Sequence, residues 1–349
     1  VNVRPNRATM VYTNLIRRFF KNTRPIVLGG VEASLRRIAH YDSYDNNVRR
    51  SILPDAKADI LVYGMAERTI AELAGVLKKA GEEGASEREA TPWQNLPGIC
   101  YMSRKAPNGY RSLPSYDNVT KDKKAFMRMS VAFQELGQDT EHGFVQKHGD
   151  RYLVHNPAPK PLTPAELDEV YEMDFQHDAH PFYCTGKIRA LDTIKQSITS
   201  HRGCFGQCNF CAIAVHQGRK VVSRTPESIV REAQRLTKTK KFNGIIYDVG
   251  GPTANMFGAK CRNNWKCRRK HCLTPDVCPN LIPGHKSQLL LLEQLRKLPG
   301  VKKVFISSGI RHDLVMADAR FSERYVDQLV RHHVSGQIKL APEHSEGYV

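Results

Sequence analysis

Apolar positions in this chain recur with two periods, and the switches between them set out its elements. Over Ala8 to Lys21, Met10, Val11, Leu15, Ile16 and Phe19 fall at helical spacing with Arg17, Arg18 and Lys21 between them, which predicts an amphipathic helix. Pro25 to Leu28 predicts a short apolar strand ending at Gly29-Gly30, followed by a helix over Val31 to Tyr41. A second apolar strand, Ile60 to Tyr63, ends at Gly64 and leads into a helix over Glu67 to Lys79. Strand, glycine and helix in repetition is the pattern of an open parallel α/β sheet, whose ligands sit beyond the carboxyl ends of the strands. The glycines at 29, 30 and 64 lack a G-x-G-x-x-G fingerprint and read as turns.

Lys79 to Ala90 is rich in Glu, Gly and Lys and reads as an exposed helix end and loop. Gly98 to Met102 and Tyr110 to Leu113 flank Asn108-Gly109, a hairpin signal, with Cys100 as a small core residue in the first strand. A helix over Lys121 to Leu136 stops at Gly137. Arg151 to Leu162 has Pro157, Pro159 and Pro161 at alternate positions, which predicts a stiff extended connector. Thr163-Pro164-Ala165-Glu166 is a capping box with Pro at the first helical position. These signals divide the chain into an N-terminal α/β domain over 1–120 and a linker region over 121–189, in which Cys184 reads as a structural cysteine.

From 190 to 349 the β-α alternation is regular. Strands are predicted over Gln196 to Ser200, Gly244 to Val249, Lys303 to Ile306 and Gly336 to Leu340. Helices are predicted over Ser228 to Leu236, capped by Thr225-Pro226, over Ser287 to Leu298, and over Phe321 to His332. Such units, joined by right-handed crossovers, predict part of a parallel (β/α) barrel, with a Cys-rich insertion over 253–285. The carboxyl ends of its strands converge on one face, where barrels carry their sites.

The first strand of this region runs into SHRGCFGQCNFCAIAVHQGR, in which Cys204, Cys208 and Cys211 form a C-x3-C-x2-C triplet. Three thiolates this close can hold three irons of a cubane cluster and leave the fourth open for chemistry. Zinc prefers four closed ligands. At the neighbouring strand ends stand Gly250-Gly251, Ser307, Ser308 and Arg311, and Glu343. A glycine pair exposes backbone carbonyls to a ligand, Arg311 can grip a carboxylate, and Ser307, Ser308 and Glu343 can hydrogen-bond a ribose or substrate. Each of these last four has an equally ordinary reading as a cap or surface ion pair. His216 and Arg219, just past the triplet, suit either contacts around a cluster or helix-start packing.

The insertion holds Cys261, Cys267, Cys272 and Cys278 at C-x5-C-x4-C-x5-C spacing, interleaved with Arg262, Lys266, Arg268, Arg269, Lys270 and His271. A polar loop offers these thiols no core, so metal ligation is favoured, with a second [4Fe–4S] cluster and structural zinc equally suited.

Charge and length refine this picture. The 349 residues carry 53 Lys and Arg against 35 Asp and Glu, a net +18, which favours anionic partners such as RNA, although the basic residues are spread along the chain. No apolar run approaches the roughly 18 residues of a membrane helix. The start, VNVRPNRATM, lacks a signal peptide's apolar core, and nine cysteines in metal-type spacings suit a reducing compartment, so a cytoplasmic protein is expected. A first residue of Val and an end just after a strand read as a fragment of a longer protein.

The triplet, with Phe210 before its last cysteine, resembles the signature of the radical S-adenosylmethionine superfamily. The whole chain resembles the YgiQ family within it, through PIVLGGVEASLRRIAHYD, ADILVYGMAERTI, HRGCFGQCNFCAIAVHQGR, SRTPESIVRE, YDVGGPTANM, the four-cysteine insertion, SSGIRHD and KLAPEHSEG. The resemblance implies a [4Fe–4S] cluster on Cys204, Cys208 and Cys211 and S-adenosylmethionine at the open iron. It places Phe210, Gly250, Gly251, Ser307, Arg311 and Glu343 around that cofactor. It implies reductive cleavage to a 5′-deoxyadenosyl radical, a one-electron donor such as flavodoxin or ferredoxin, and a substrate that it does not name, with RNA as one candidate. The N-terminal units look like an incomplete cobalamin-binding-like domain, but D-x-H-x-x-G is absent and no cobalamin is expected. Full-length members are expected to complete the barrel and to carry a further C-terminal region. The alternative from another class is a non-enzymatic, metal-dependent RNA-binding or scaffold protein with zinc at both cysteine groups.

Overall fold

The computed structural model describes residues 5–82, 91–183, 188–206, 208, 210–264 and 271–340. The chain divides into two compact units, Val1–Lys160 and Pro161–Val349.

In the first unit, α1 (Ala8–Phe19) precedes β1 (Val27–Leu28), α2 (Gly30–Leu35), the antiparallel pair β2 (His40–Asp42) and β3 (Asn47–Arg49), α3 (Ile52–Asp55), β4 (Ile60–Val62) and α4 (Glu67–Glu82). There follow β5 (Ile99–Ser103), β6 (Arg111–Leu113), α5 (Tyr116–Lys121), α6 (Lys123–Leu136), β7 (Phe144–His148) and β8 (Arg151–His155). Six of these strands form one sheet in the order β1-β4-β5-β8-β7-β6. Side chains alternate between two apolar layers. Leu61, Cys100, Phe144 and Leu153 face Leu53, Met129 and Leu136. Ile60, Val62, Ile99, Tyr101, Val145 and Val154 face Leu73 and Trp93. Burial on both faces explains the unbroken apolar runs at 60–62 and 99–101.

Four expectations for this unit are corrected. The sheet is mixed, because β1–β4 and β6–β7 are parallel while β4–β5, β5–β8 and β7–β8 are antiparallel. An apolar run buried on both faces does not encode the direction of its neighbour. The hairpin expected around Asn108-Gly109 does not form between β5 and β6, because β4 and β8 occupy the two edges of β5. The hairpin that does form joins β7 to β8 through Gly149, at φ +63°, and Asp150. Residues 123–155, read as linker, therefore supply a helix and two strands of the sheet. The helix expected over Val31 to Tyr41 ends at Leu35, and His40–Asp42 is a strand.

The second unit opens with α7 (Pro164–Glu172), whose capping box is present as expected: Thr163 Oγ1 accepts from the Glu166 amide and the Glu166 carboxylate from the Thr163 amide. Next come α8 (Arg189–Ile194), β9 (Ser197–Thr199), β10 (His201–Arg202), α9 (Ile213–Gln217), β11 (Val222–Ser223) and α10 (Pro226–Thr237). Then follow β12 (Ile245–Ile246), β13 (Asp248–Gly250), β14 (Lys260–Cys261), β15 (Leu281–Ile282), α11 (His285–Arg296), β16 (Lys303–Val304), α12 (His312–Ala317) and α13 (Ser322–His332). β13 pairs in parallel with β9, and β12, one residue before it, pairs in parallel with β16. Consecutive β-α segments thus lie side by side with α10 and α11 as crossovers. Ile198, Ile246, Val249 and Val304 of the strands are buried with Ile229, Ala233, Leu292, Leu295 and Leu329 of the helices. The strand expected over Gly336 to Leu340 is reduced to a parallel bridge between Ile310 and Leu340.

The entry to α10 is fixed by polar contacts. Arg224 is 2 % exposed, paired with Glu232, and donates to the Thr199 carbonyl and the Ser228 hydroxyl. Asp168 of α7 accepts from the amide and hydroxyl of Thr225, the N-cap of α10.

Candidate metal and cofactor site

The cysteine triplet hangs between β10 and β11, which pair antiparallel and close the base of the loop. Gly203 lies at φ +84°, and a Cβ there would fall 2.1 Å from the Lys220 carbonyl oxygen, so only glycine allows the loop to leave the ribbon. The Cys204 amide donates to the Gly218 carbonyl at 3.1 Å and the Gly203 amide to Gln217 Oε1 at 3.0 Å, which tie both ends of the loop together. Within it, the Cys211 amide donates to the Cys208 carbonyl at 2.9 Å.

Gly206 sits between two of the thiols. A Cβ on it would lie 3.3 Å from Cys204 Sγ, 3.7 Å from Cys208 Sγ and 3.7 Å from Arg311 Nη1. Its amide donates to Cys204 Sγ at 3.4 Å, and Arg311 Nη1 lies 3.9 Å from Cys208 Sγ. Burial pushes the Cys204 thiol up, with the Gly206 amide opposing. A bare thiolate here is disfavoured, and a metal that displaces its proton relieves that cost. Soft sulfur donors, an amide aimed at one of them and a cation beside another suit an iron–sulfur cluster. Among the described residues no group of three or more His, Cys, Asp or Glu side chains is gathered to hold a single metal ion.

The residues expected around a cofactor separate into distinct environments. Phe210 is 78 % exposed. The Gly250 carbonyl accepts from the Ser200 amide at 2.7 Å and the Ser200 hydroxyl at 3.0 Å, so it is engaged within the sheet. The space a Cβ would fill at Gly250 holds the Ser308 side chain, and at Gly251 the His201 ring. Packing alone therefore demands both glycines. The Ser307 hydroxyl donates to the Tyr247 carbonyl at 2.7 Å, and Ser308 donates to Asp248. Arg311 forms a two-pronged ion pair with Asp313, with Nε donating to Oδ1 at 3.1 Å and Nη2 to Oδ2, while Nη1 faces the cysteine loop. Glu343 lies outside the described residues. His216 and Arg219 are half-buried just past the triplet, and neither is without an interaction partner.

Two residues at this site were not singled out from sequence. Asp248, the last polar residue before the glycine pair, accepts from the amides of Ser307 and Ser308 at 2.8 and 3.1 Å and ties β13 to the turn after β16. His201 is fully buried, burial pushes it down to about 4, and Ser200 Oγ lies 2.9 Å from its Nδ1. The adjacency of Asp248 to Gly250 and of His201 to Cys204 was the available signal.

The insertion also departs from expectation. Cys278 is buried with Leu273, Leu281, Met256 and Phe205, the residue after Cys204, and Cys204 and Cys272 pack against the same group. These thiols do have an apolar core, which removes the argument from its absence. The Cys278 amide donates to the Cys272 carbonyl at 2.8 Å, and Cys261 lies on β14 opposite Leu281. Cys267 and the basic residues 266–270 lie outside the described residues, as does Cys184. Arg262 donates to the Pro279 carbonyl at 3.1 Å. No helix among the described residues is long and apolar enough to cross a membrane.

Residues 1–197, more than half of the chain, match the family model described as Radical SAM N-terminal, and the chain belongs to that family. Its sequence is of the UPF0313/YgiQ type. It is 47% identical over 352 residues to a UPF0313 protein of Fusobacterium nucleatum, covering 99% of this chain and 60% of that protein. It is 44% identical over 349 residues to a UPF0313 protein of Clostridium botulinum, covering 98% of this chain and 53% of that protein. The corresponding match in Clostridium perfringens is 46% identical and covers 51% of that protein. The chain thus spans about half to three fifths of the length of these relatives. Among solved structures it matches TsrM, a radical S-adenosylmethionine methyltransferase of Kitasatospora setae. With tryptophan substrate and a cofactor analogue bound, that structure gives 15% identity and a TM-score of 0.44 over 98% of this chain and 45% of TsrM. With cobalamin and a [4Fe–4S] cluster bound, it gives 14% and 0.47 at the same coverage.

Proposed function

We propose that this chain carries the cluster-binding part of a radical S-adenosylmethionine enzyme, with Cys204, Cys208 and Cys211 holding three irons of a [4Fe–4S] cluster and S-adenosylmethionine at the fourth. The observation that supports this most is that the loop carrying the triplet brings Cys204 and Cys208 together around Gly206, beside Arg311 from the turn after β16. When bound, the cluster supplies the electron that cleaves S-adenosylmethionine to methionine and a 5′-deoxyadenosyl radical. The chain's own residues hold and orient. Gly203 lets the loop leave the ribbon, the Gly206 amide and the Arg311 guanidinium offset negative charge on sulfur, and Asp248 fixes the Ser307-Ser308 turn beside the glycine pair.

In this reading the parallel β-α units of the second unit are part of a (β/α) barrel, and the protein works in the cytoplasm with a one-electron donor. The net charge of +18 favours an anionic substrate, with RNA the first class to test. Cys261, Cys267, Cys272 and Cys278 are read as ligands of a second metal centre, iron–sulfur or zinc. The test uses the full-length protein, reconstituted anaerobically with iron and sulfide and given reductant and S-adenosylmethionine. It should release 5′-deoxyadenosine. An intact cluster with no release overturns the reading, and zinc without iron or sulfide points instead to a scaffold.

A further inference from the structure

Behind the backbone of Arg311 runs a polar chain that no part of the proposed reaction has yet used. Asn255, in the turn after Gly250-Gly251, is fully buried. Its Oδ1 accepts from the Arg311 amide at 2.9 Å, and its Nδ2 donates to the Arg311 carbonyl at 2.9 Å. The carboxamide therefore grips both polar groups of one residue's backbone. The second Nδ2 hydrogen points to His285 Nε2 at 3.2 Å, and His285 Nδ1 lies 2.8 Å from Asp318 Oδ2. His285 is also fully buried, and its ring packs on Tyr325 with centroids 4.3 Å apart.

The hydrogen bonds fix every orientation in this chain. Asp318 accepts, so Nδ1 of His285 carries the proton and Nε2 presents a lone pair. That lone pair takes one hydrogen of the Asn255 amide group and leaves the other for the Arg311 carbonyl, so Oδ1 must face the Arg311 amide. Burial lowers the His285 pKa more than Asp318 raises it, which keeps the imidazole neutral and its Nε2 able to accept. A reversed Asn255 amide would set oxygen against the Arg311 carbonyl and nitrogen against its amide.

Resting on the cluster reading above, we propose that Asn255, oriented by His285 and Asp318, is the positioning residue that holds Arg311 against the cysteine loop. Arg311 divides its guanidinium between Asp313 and the loop, with Nη1 3.9 Å from Cys208 Sγ. Both directions depend on where its backbone is anchored. In that reading Arg311 would contact the bound cofactor, and Asn255 would act through Arg311.

The test compares Asn255→Ala, Arg311→Gln and the double variant in full-length protein. The first readout is the dissociation constant of S-adenosylmethionine, followed by the change it causes in the spectrum of the reduced cluster. Each single variant should keep wild-type iron and weaken binding at least tenfold. The double variant should lie within twofold of Arg311→Gln alone, because Asn255 has nothing left to position. Unchanged binding in Asn255→Ala, or a further tenfold loss in the double variant, overturns the proposal. Asp318→Asn, at a less buried position, serves if Asn255→Ala does not fold. It should weaken binding at least threefold, and that effect should vanish in the Arg311→Gln background; an effect that persists overturns the proposal.

A second readout needs no cluster. Amide hydrogen exchange at Arg311 in metal-free protein should speed up at least tenfold in Asn255→Ala, or in Asp318→Asn in its place, and an unchanged rate overturns the proposal. A wild-type protein that takes up no cluster defeats the enzyme reading, while the exchange measurement still decides whether Asn255 clamps Arg311.

Discussion

Gly251 lies against the His201 ring, so that a Cβ added to this glycine would fall 2.6 Å from Cε1 and 2.7 Å from Nε2 of the imidazole. The ring has no room to retreat, because His201 is fully buried on the sheet that carries the cysteine loop. The glycine pair and the residue three before Cys204 are thus one packed unit.

Gly251→Ala should therefore destabilise the protein by about 1–3 kcal/mol, the usual range for overpacking. His201→Ala in the same chain makes space for the new methyl group, so the double variant should be less destabilised than the two single losses combined. Urea unfolding of the three variants checks both statements.

Arg224 and Glu232 form a pair buried at the start of α10. Arg224→Met leaves the Glu232 carboxylate without its partner and should cost about 3–5 kcal/mol. Adding Glu232→Leu removes the stranded charge and should recover part of that loss, again by urea unfolding. No recovery would mean that the bonds of Arg224 to Thr199 and Ser228 carry most of its contribution.

Buried histidines give the protein a defined acid sensitivity. Burial pushes His148, His201 and His333 down to about 4, and His155 well below its ordinary value. An unfolded chain takes up these protons near pH 6.5, and the native one only near pH 4 or below. Stability is therefore full above about pH 6.5 and falls as pH drops towards 4, each histidine contributing a slope of at most about 1.4 kcal/mol per pH unit. His148→Gln should reduce the slope of unfolding free energy between pH 6 and 4.5 by about one proton. An unchanged slope would show that His148 titrates normally in the folded state.

Cys278 stands both in an apolar cluster and in the proposed second ligand set. Cys278→Val keeps an apolar group there and removes the sulfur. Metal analysis of the variant should show the second metal lost and the triplet's iron retained. Retention of both makes Cys278 a core residue only.

What the sequence revealed follows from how local each signal is. The Thr163 capping box and the Thr225 cap lie within one helical turn, and both are present as read. The triplet was legible because its three thiols lie on one short loop. The hairpin expected at Asn108-Gly109 does not form, because the neighbours of β5 are β4 and β8, the latter some fifty residues further along. The hairpin that does form turns at Gly149-Asp150 and joins β7 to β8. Asp248, Asn255 and His201 acquire their roles from residues distant in sequence or from packing, which no spacing along the chain records.

The most direct test is the iron and acid-labile sulfide content of anaerobically purified full-length protein, beside a variant with Cys204, Cys208 and Cys211 all changed to Ala. The account predicts roughly four irons and four sulfides per chain that depend on the triplet, over and above any metal at the second cysteine group. Equal iron in both proteins, or zinc alone in the wild type, would contradict it.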